Sequence, residues 1–406
     1  MSIMKKYLNI NRWDLNFILT LIGFPFFTIL VSNSTASIAY RGFALFVALL
    51  CLWKTGMRIV RTPIVRIFLI VLLYVSIQSF IGVFFGEYAN YPYSGVKYMF
   101  LLFNVGILWI PLLAFVSGLS KIQWDRTIFY TFILLFITIL HADFGTIGVE
   151  VSTSGRYDMG RLSTLAFGDN GTYLVLIATS LLATRKVWLT RCKFIVISLL
   201  FLSVLVGLFG VLKAGSRGPL VGCVTGLMFL VFCMRGHDRS ILFVSIVVLI
   251  VSGAVSLVKL ADFAPAIYNR FMATIEDGDM SGRENLFEEA IARFEDNPIL
   301  GTNPISLSST QFSTCHNVYL ETLQGGGIIV FLFFVYALLS VIFGSVKIRN
   351  ILLQHTGFLF LFSLFFCNIG RGLSGIMLTS NTIYAFAFTG CGIILYFIKK
   401  GYLIRQ

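Results

Sequence analysis

The sequence predicts an all-α membrane protein with about twelve transmembrane helices, and two observations support this class. Hydrophobic residues make up 57% of the 406 residues and charged residues only 12%, whereas a soluble domain averages about 25% charged residues. The apolar residues also come in runs of about 18 or more, each long enough to cross a hydrocarbon core of about 30 Å as a helix. The alternating segments typical of a membrane β-barrel are absent from the sequence.

The apolar runs predict twelve spans within a single polytopic domain, residues 1–406. Most connections are short, but two longer loops, at about 142–167 and 261–317, interrupt the bundle, and such loops are usually functional or disordered. We do not interpret the first span as a cleaved signal peptide, because another span follows at once and no A-x-A-like site separates them. The predicted spans lie near residues 15–32, 36–53, 65–86, 98–118, 127–142, 168–183, 194–213, 217–234, 241–260, 318–345, 356–370 and 380–398.

The basic residues predict the orientation of these spans. Alternate short loops carry 20 of the 31 Lys and Arg residues and only three acidic residues, and such loops face the cytoplasm. Both termini are therefore predicted to be cytoplasmic, and both long loops to lie on the outer face. The net charge of +13 follows from this topology. It does not indicate nucleic-acid binding, which would need a basic patch on a folded domain.

The larger outer loop contains a predicted amphipathic helix, which we place at the outer membrane–water interface. Ser281 followed by Glu284 is a capping-box pattern, and Pro298 and Gly301 are typical of the end of a helix. Charged residues occupy the face opposite the apolar one. The apolar residues that recur at helical spacing are Leu286, Phe287, Ala290, Ile291 and Phe294.

The basic residues on the predicted outer face are mostly arginines, with eight Arg against three Lys. Arginine suits binding of phosphate or carboxylate through two parallel hydrogen bonds better than lysine does. We therefore expect an anionic ligand on this face, such as a lipid-linked phosphate.

Two arginines are the first candidates for binding that anion. Arg217 lies between Ser216 and Gly218 at the outer mouth of a span, and the glycine allows a ligand close to the backbone. The alternative is an arginine that only snorkels from a helix end. Arg283 opens the predicted loop helix, whose N-terminus favours anions. The alternative there is a surface arginine paired with nearby acidic residues.

His316 is the candidate for proton transfer, because a neutral histidine can take a proton from a sugar hydroxyl. It directly precedes a span, which places it near the membrane surface. The alternative is a polar residue that only starts the helix. Glu321 could either orient His316 or act as a helix cap. Arg371 ends another span on the same face and is a further candidate for substrate binding.

A third group of candidates lies at the mouth of the sixth span. The polar segment 169–171 interrupts an otherwise apolar run, and polar groups at that depth often mark a site. The alternative is that the span starts later, near Tyr173. The charged residues around this mouth are Arg156, Asp158, Arg161 and Asp169.

Three motifs follow one another along the second half of the chain. GSRGPL (215–220) opens a span, SGRENLFEEAIARFEDNPILG (281–301) forms the loop helix and its end, and HNVYLETLQGGGIIVFLFF (316–334) leads into the next span. In this order and context they resemble the O-antigen ligase/polymerase family of bacterial envelopes. The resemblance is sharp over about residues 210–335, and elsewhere the chain is similar only as a membrane protein with many spans.

The resemblance implies a metal-independent, GT-C-like glycosyltransferase of the bacterial inner membrane, with a periplasmic active site and no cofactor. Its donor would be a glycan on undecaprenyl diphosphate. Arg217 and Arg283 would hold the diphosphate as it leaves, and His316 would activate the acceptor hydroxyl. Fixed positive charge can stabilise a leaving phosphate without a metal. Further substrate-binding residues would be Arg161, Arg156, Ser216, Asn317 and Arg371.

The acceptor separates two activities within this family. A polymerase transfers the growing chain onto the next lipid-linked repeat unit, with a chain-length regulator as a further partner, and a ligase transfers the finished chain onto lipid A–core. We favour the polymerase, because HNVYLETLQGGG looks more like polymerase members. From a different class, a lipid-linked oligosaccharide flippase or another transporter would need polar groups through the membrane interior and two related halves.

Overall fold

The computed structural model describes most of the chain, with gaps that include part of the two long loops predicted at 142–167 and 261–317. Within these limits the architecture is helical, as the sequence predicts. The described residues are 10–23, 34–55, 62–86, 100–144, 164–184, 193–214, 216–234, 284–308, 311–313, 315–373, 378–379 and 381–401.

Helices account for nearly all of the described residues. A short antiparallel hairpin is the exception, with β1 at Ser306–Ser308 and β2 at Gln311–Ser313. A π-helical segment, Leu102–Trp109, runs directly into α4. The helices are α1 (Arg12–Ile22), α2 (Ser34–Thr55), α3 (Pro63–Phe84), α4 (Ile110–Gly118), α5 (Trp124–Phe144), α6 (Thr164–Thr184), α7 (Lys193–Lys213), α8 (Arg217–Cys233), α9 (Glu284–Asp296), α10 (Val318–Leu352), α11 (Thr356–Arg371) and α12 (Thr382–Lys399).

By length and composition the chain is a multi-pass membrane protein. Six helical segments among the described residues are long and apolar enough to cross a membrane, and α8 and α11 are shorter apolar helices. The span predicted at 241–260 and the second half of the first predicted span lie outside the described residues. The number of twelve spans and their orientation therefore stay predictions. The six segments are Pro63–Phe84, Leu102–Lys121, Trp124–His141, Lys193–Leu212, Val318–Leu352 and Thr382–Lys399.

Helix α6 is the centre of the bundle and packs against α5, α7, α8 and α11. Every residue from Asn170 to Leu181 is buried, which is expected for a helix surrounded on all sides. Small residues allow the closest approach. A Cβ on Gly171 would come within 2.7 Å of the Gly207 carbonyl oxygen, so α6 and α7 meet backbone to backbone.

The amphipathic helix predicted in the outer loop is present as α9, Glu284–Asp296. It packs against α10, with Ala290 buried and Ile291 45% exposed. Arg293 pairs with Glu289 one turn earlier, with 2.9 Å between Nη2 and Oε1. The capping residue Ser281 lies outside the described residues, and the placement of α9 at the membrane surface stays a prediction.

Candidate functional site

The Ser–Arg–Gly motif forms the N-terminus of α8 and packs against α6. Ser216 is the N-cap residue and Arg217 the first helical residue, and both are half-buried. The Thr172 hydroxyl donates to the Pro219 carbonyl over 3.1 Å. A Cβ on Gly168 would come within 2.9 Å of the Pro219 ring. The glycine therefore lets α6 and α8 meet at this end, and the contact fixes where Arg217 begins the helix.

Arg371 and Asp169 form a buried ion pair between α11 and α6. Arg371 Nη2 lies 2.8 Å from Asp169 Oδ2, and Nη1 donates to the Tyr173 hydroxyl over 3.4 Å. Arg371 is only 2% exposed. Because α6 begins at Thr164, Asp169 lies inside the helix, and where the membrane span itself starts stays a prediction. Asp169 is half-buried, with 15% of its side chain exposed, and loss of Asp169 would leave the buried Arg371 charge uncompensated.

The Arg371 side chain also connects this pair to the Ser–Arg–Gly motif. It crosses α8 at Gly222, where a Cβ would come within 2.6 Å of Arg371 Cγ. Gly222 lies five residues after Arg217, which is about 7.5 Å along the helix axis at 1.5 Å per residue. Two of the predicted outer-face arginines are therefore carried by adjoining parts of α8 and α11.

The His–Asn motif forms a capped helix start. The Asn317 side-chain oxygen accepts hydrogen bonds from the backbone N–H groups of Tyr319 and Leu320, over 3.0 and 3.1 Å. Asparagine is among the preferred N-cap residues because it satisfies such free donors. The Cys315 thiol donates to the Asn317 carbonyl over 3.4 Å, and burial raises the pKa of this thiol to about 12. The residues on both sides of His316 are thus fixed.

His316 has a left-handed backbone conformation, with φ of 50°. Non-glycine residues with positive φ are uncommon, and among the described residues His316 alone has one. Such a conformation costs about 1–3 kcal/mol and persists where the surroundings enforce it, often at functional sites. The half-buried histidine is therefore held in a sharp turn directly before α10.

The same turn is bonded to the end of α11 that carries Arg371. The Val318 N–H donates to the Gly372 carbonyl over 2.9 Å, and the Asn317 side-chain amide donates to the Leu373 carbonyl over 3.2 Å. These two acceptors directly follow Arg371 in the chain. The histidine turn and the buried ion pair are therefore joined through the backbone.

Glu321 fixes the connection between α11 and α12. Its buried carboxylate accepts hydrogen bonds from the Leu378 N–H (2.6 Å), the Thr379 N–H (3.2 Å) and the Thr379 hydroxyl (2.8 Å). Asn104 of the π-helical segment donates to the Thr379 carbonyl over 3.2 Å. The sequence leaves two roles open for Glu321, orientation of His316 or capping of a helix. The described contacts favour a different role, in which Glu321 anchors the chain that follows α11.

The end of the second motif packs against the glycine run of the third motif, residues 325–327. Helix α10 is kinked at Gly327, which has φ of 63° and ψ of −174°. The segment 297–301 docks there, and Gly301 also has a positive φ of 72°. The Thr302 N–H donates to the Gln324 carbonyl over 2.7 Å. A Cβ on Gly301 would come within 2.5 Å of the Gly327 nitrogen, so both glycines are required for this contact.

A cavity of about 270 Å³ lies beside the Asp169–Arg371 pair. The π-helical segment forms part of its wall, and π-helical turns frequently occur at functional sites. The guanidinium carbon of Arg41 lies 5.1 Å from the centre of the Phe103 ring, and both residues face this cavity. Polar and charged lining residues are Thr20, Tyr40, Arg41, Asp169, Tyr173, Arg371, Asn381 and Thr382.

The described contacts bring together some of the predicted site residues. Ser216 and Arg217 lie on α8, which packs against both α6 and α11, and Asn317 is bonded to the chain that follows Arg371. Arg283, Arg156 and Arg161 lie outside the described residues, so their places in the site stay predictions.

Three contacts of this site could not be read from the sequence, namely Asp169 with Arg371, Tyr173 with Arg371, and Asn104 with Thr379. Asp169 interrupts an apolar run, which marks it in the sequence as a candidate. Its partner Arg371 is 202 residues away, and the sequence marks Arg371 only as a separate candidate. Tyr173 and Asn104 carry no comparable signal, because single tyrosines and asparagines in apolar helices are ordinary.

The comparison with known protein families identifies the segment that contains the motifs. Residues 202–335 match the family model described as O-antigen ligase. This range includes α8, α9, the histidine turn and the kink in α10. No curated protein matches the chain. Residues 202–335 are therefore similar to the O-antigen ligase family, which supports an assignment to the O-antigen ligase/polymerase family.

Proposed function

We propose that this protein is a polymerase of O-antigen or a similar surface polysaccharide. It transfers a glycan from undecaprenyl diphosphate to a sugar hydroxyl of the next lipid-linked repeat unit, at the periplasmic face of the inner membrane. The observation that carries the proposal is the turn at His316. This turn has a left-handed backbone, is capped by Asn317, and is bonded to the end of α11 that carries Arg371.

The reaction needs a base and a site for a leaving diphosphate. The acceptor oxygen forms a bond to the anomeric carbon of the donor sugar, and the bond from that carbon to the diphosphate oxygen breaks. His316 takes the proton of the acceptor hydroxyl, and the electron pair leaves with undecaprenyl diphosphate. Arg217 and Arg283 stabilise the charge on the diphosphate, as preorganised cations do where charge develops.

A ligase is the second candidate, because the matching family model is described as O-antigen ligase. The chemistry at His316 and the arginines would be the same. Only the acceptor differs, since a ligase transfers the finished chain to lipid A–core.

The test is a surface-polysaccharide gel of the native host after deletion of the gene. Complementation uses the wild type, His316→Asn and a control, His355→Asn. Asparagine tolerates a left-handed backbone but cannot act as a base near neutral pH, so the first variant removes the proton acceptor with little change in strain. His355 precedes α11 with an ordinary φ of −129°, and we expect the control to restore the ladder.

Each gel pattern has a distinct meaning. Core with a single repeat unit, in both the deletion strain and His316→Asn, is the expected result for a polymerase. Bare core with polymer left on the carrier lipid would establish the ligase instead. An unchanged ladder in the deletion strain would refute both activities, and full restoration by His316→Asn would exclude His316 as the base.

A further inference from the structure

The cavity beside the Asp169–Arg371 pair has walls of two kinds. Apolar side chains such as Phe103 and Ile107 line one part, and the ion pair with Tyr173 lines another. Its volume of about 270 Å³ is slightly below the range of about 300–1,000 Å³ of pockets for drug-sized ligands. A single ring therefore fits better than an oligosaccharide.

Two polar atoms of the residues at this wall have no hydrogen-bond partner. They are Asp169 Oδ1, an acceptor, and Arg371 Nε, a donor, and both atoms are buried. An unpaired buried polar atom costs about 1–3 kcal/mol, so such atoms in a native protein call for an explanation. A ligand with both hydroxyl donors and hydroxyl acceptors would satisfy them after small side-chain movements.

The Asp169 carboxylate argues against phosphate as the ligand beside Arg371, and Arg41, which faces the same cavity, has its guanidinium carbon 5.1 Å from the centre of the Phe103 ring. The Asp169 carboxylate neutralises Arg371 at 2.8 Å, and a diphosphate placed here would also face that carboxylate. A neutral ring with several hydroxyl groups meets no such repulsion. It can also place its apolar face against an aromatic ring such as Phe103.

We propose that this cavity is a subsite for one neutral sugar ring of the lipid-linked glycan. The inference deepens the proposed function and rests on it for the identity of the glycan. The diphosphate is bound elsewhere, at Arg217 and Arg283, and Arg371 acts on the sugar through its pair with Asp169. The backbone contacts of Gly372 and Leu373 with the histidine turn place this subsite close to the proposed base.

The test compares two probes that differ only in the sugar. Purified full-length protein in detergent is titrated with undecaprenyl diphosphate and with the undecaprenyl-diphosphate-linked repeat unit of the host. Ala44→Leu adds bulk to the cavity wall without any change of charge. Gly42→Leu is the matched control on the same helix, because a Cβ at Gly42 meets nothing within 4 Å. Asp169→Asn tests the carboxylate itself.

We expect Asp169→Asn to weaken binding of the sugar-bearing lipid by about 10-fold or more, the range for loss of a buried hydrogen bond to a charged group. Ala44→Leu should weaken it similarly, because the larger side chain occupies space that the sugar ring would fill. Binding of undecaprenyl diphosphate should change less than about twofold, and Gly42→Leu should bind both lipids like the wild type. If Asp169→Asn fails to fold, Ala44→Leu still decides the question.

Other outcomes would overturn the proposal. Equal losses for both lipids in Ala44→Leu would place the diphosphate or the prenyl chain in the cavity. Unchanged binding of the sugar-bearing lipid would leave the cavity without a role in recognition, and equal wild-type affinity for the two lipids would mean that no sugar is recognised. A wild type that prefers the sugar-bearing lipid but transfers no glycan would refute the proposed function and leave the subsite standing.

Discussion

Substitution of Gly327 by alanine tests whether the second and third motifs are joined as the structure shows. Gly327 has a backbone conformation that is essentially restricted to glycine, which costs other residues about 1–3 kcal/mol. The new Cβ would also collide with the Ile299 carbonyl oxygen and come within 2.7 Å of the Gly301 nitrogen. Overpacking of this kind costs about 1–3 kcal/mol more. We therefore expect a loss of about 2–6 kcal/mol, a large part of a typical stability of 5–15 kcal/mol.

The assay is unfolding of the purified protein in detergent, followed by tryptophan fluorescence. Gly42→Ala is the control, since this helical glycine has open space around it and alanine favours a helix by about 1 kcal/mol. Gly301→Ala should destabilise like Gly327→Ala. The double variant should lose less stability than the two single variants added together, because both substitutions break the same contact between Gly301 and Gly327. A Gly327→Ala protein within about 0.5 kcal/mol of the wild type, or strictly additive losses, would refute the reasoning.

Three further outcomes are expected. Burial raises the pKa of the Cys315 thiol to about 12, so this thiol should resist maleimide at pH 8 while the exposed thiol of Glu295→Cys reacts. Peptide mass spectrometry measures labelling at both positions, and equal rates would contradict the burial of Cys315. Glu321→Gln should destabilise the protein by about 2 kcal/mol or more, because an amide cannot accept all three hydrogen bonds of the carboxylate. Faster amide hydrogen exchange at residue 379, with unchanged exchange in α6, would show which segment is loosened. Asn317→Ala should cost about 1 kcal/mol through loss of the helix cap, together with the hydrogen bond to the Leu373 carbonyl. Asn317→Asp keeps the cap but cannot donate to that carbonyl, so it should recover only part of the loss in a thermal unfolding experiment. No difference between the two variants would mean that the cap contributes little.

The helices and the order of the motifs were predictable because they depend on local composition. Runs of apolar residues predict spans whatever their neighbours are, and the apolar spacing around Ala290 predicts α9 for the same reason. Helix α6 shows the limit of prediction from local composition. Asp169 was visible as a polar interruption, but composition alone could not decide between a late helix start and a half-buried helical carboxylate.

The contacts between helices were not predictable from one sequence. The pairing of Asp169 with Arg371 depends on which helices are neighbours, and this information is not present in the periodicity of either helix. The kink at Gly327 is similar. Consecutive glycines are compatible with a flexible helix, and only the docked carbonyl of Ile299 shows why a side chain is excluded there.

The three motifs are joined through small residues and helix ends as much as through charged groups. The histidine turn is held to α11 by the Val318 N–H and the Asn317 amide, and the loop helix is held to α10 by contacts at Gly301 and Gly327. Each of these contacts includes at least one backbone atom, which a change of side chain does not remove. Other side chains that line the cavity, such as Ala44 and Ile107, take no part in these contacts. On this argument the frame around His316 sets the reaction type, and the cavity is where proteins of this kind would differ in the sugar they accept.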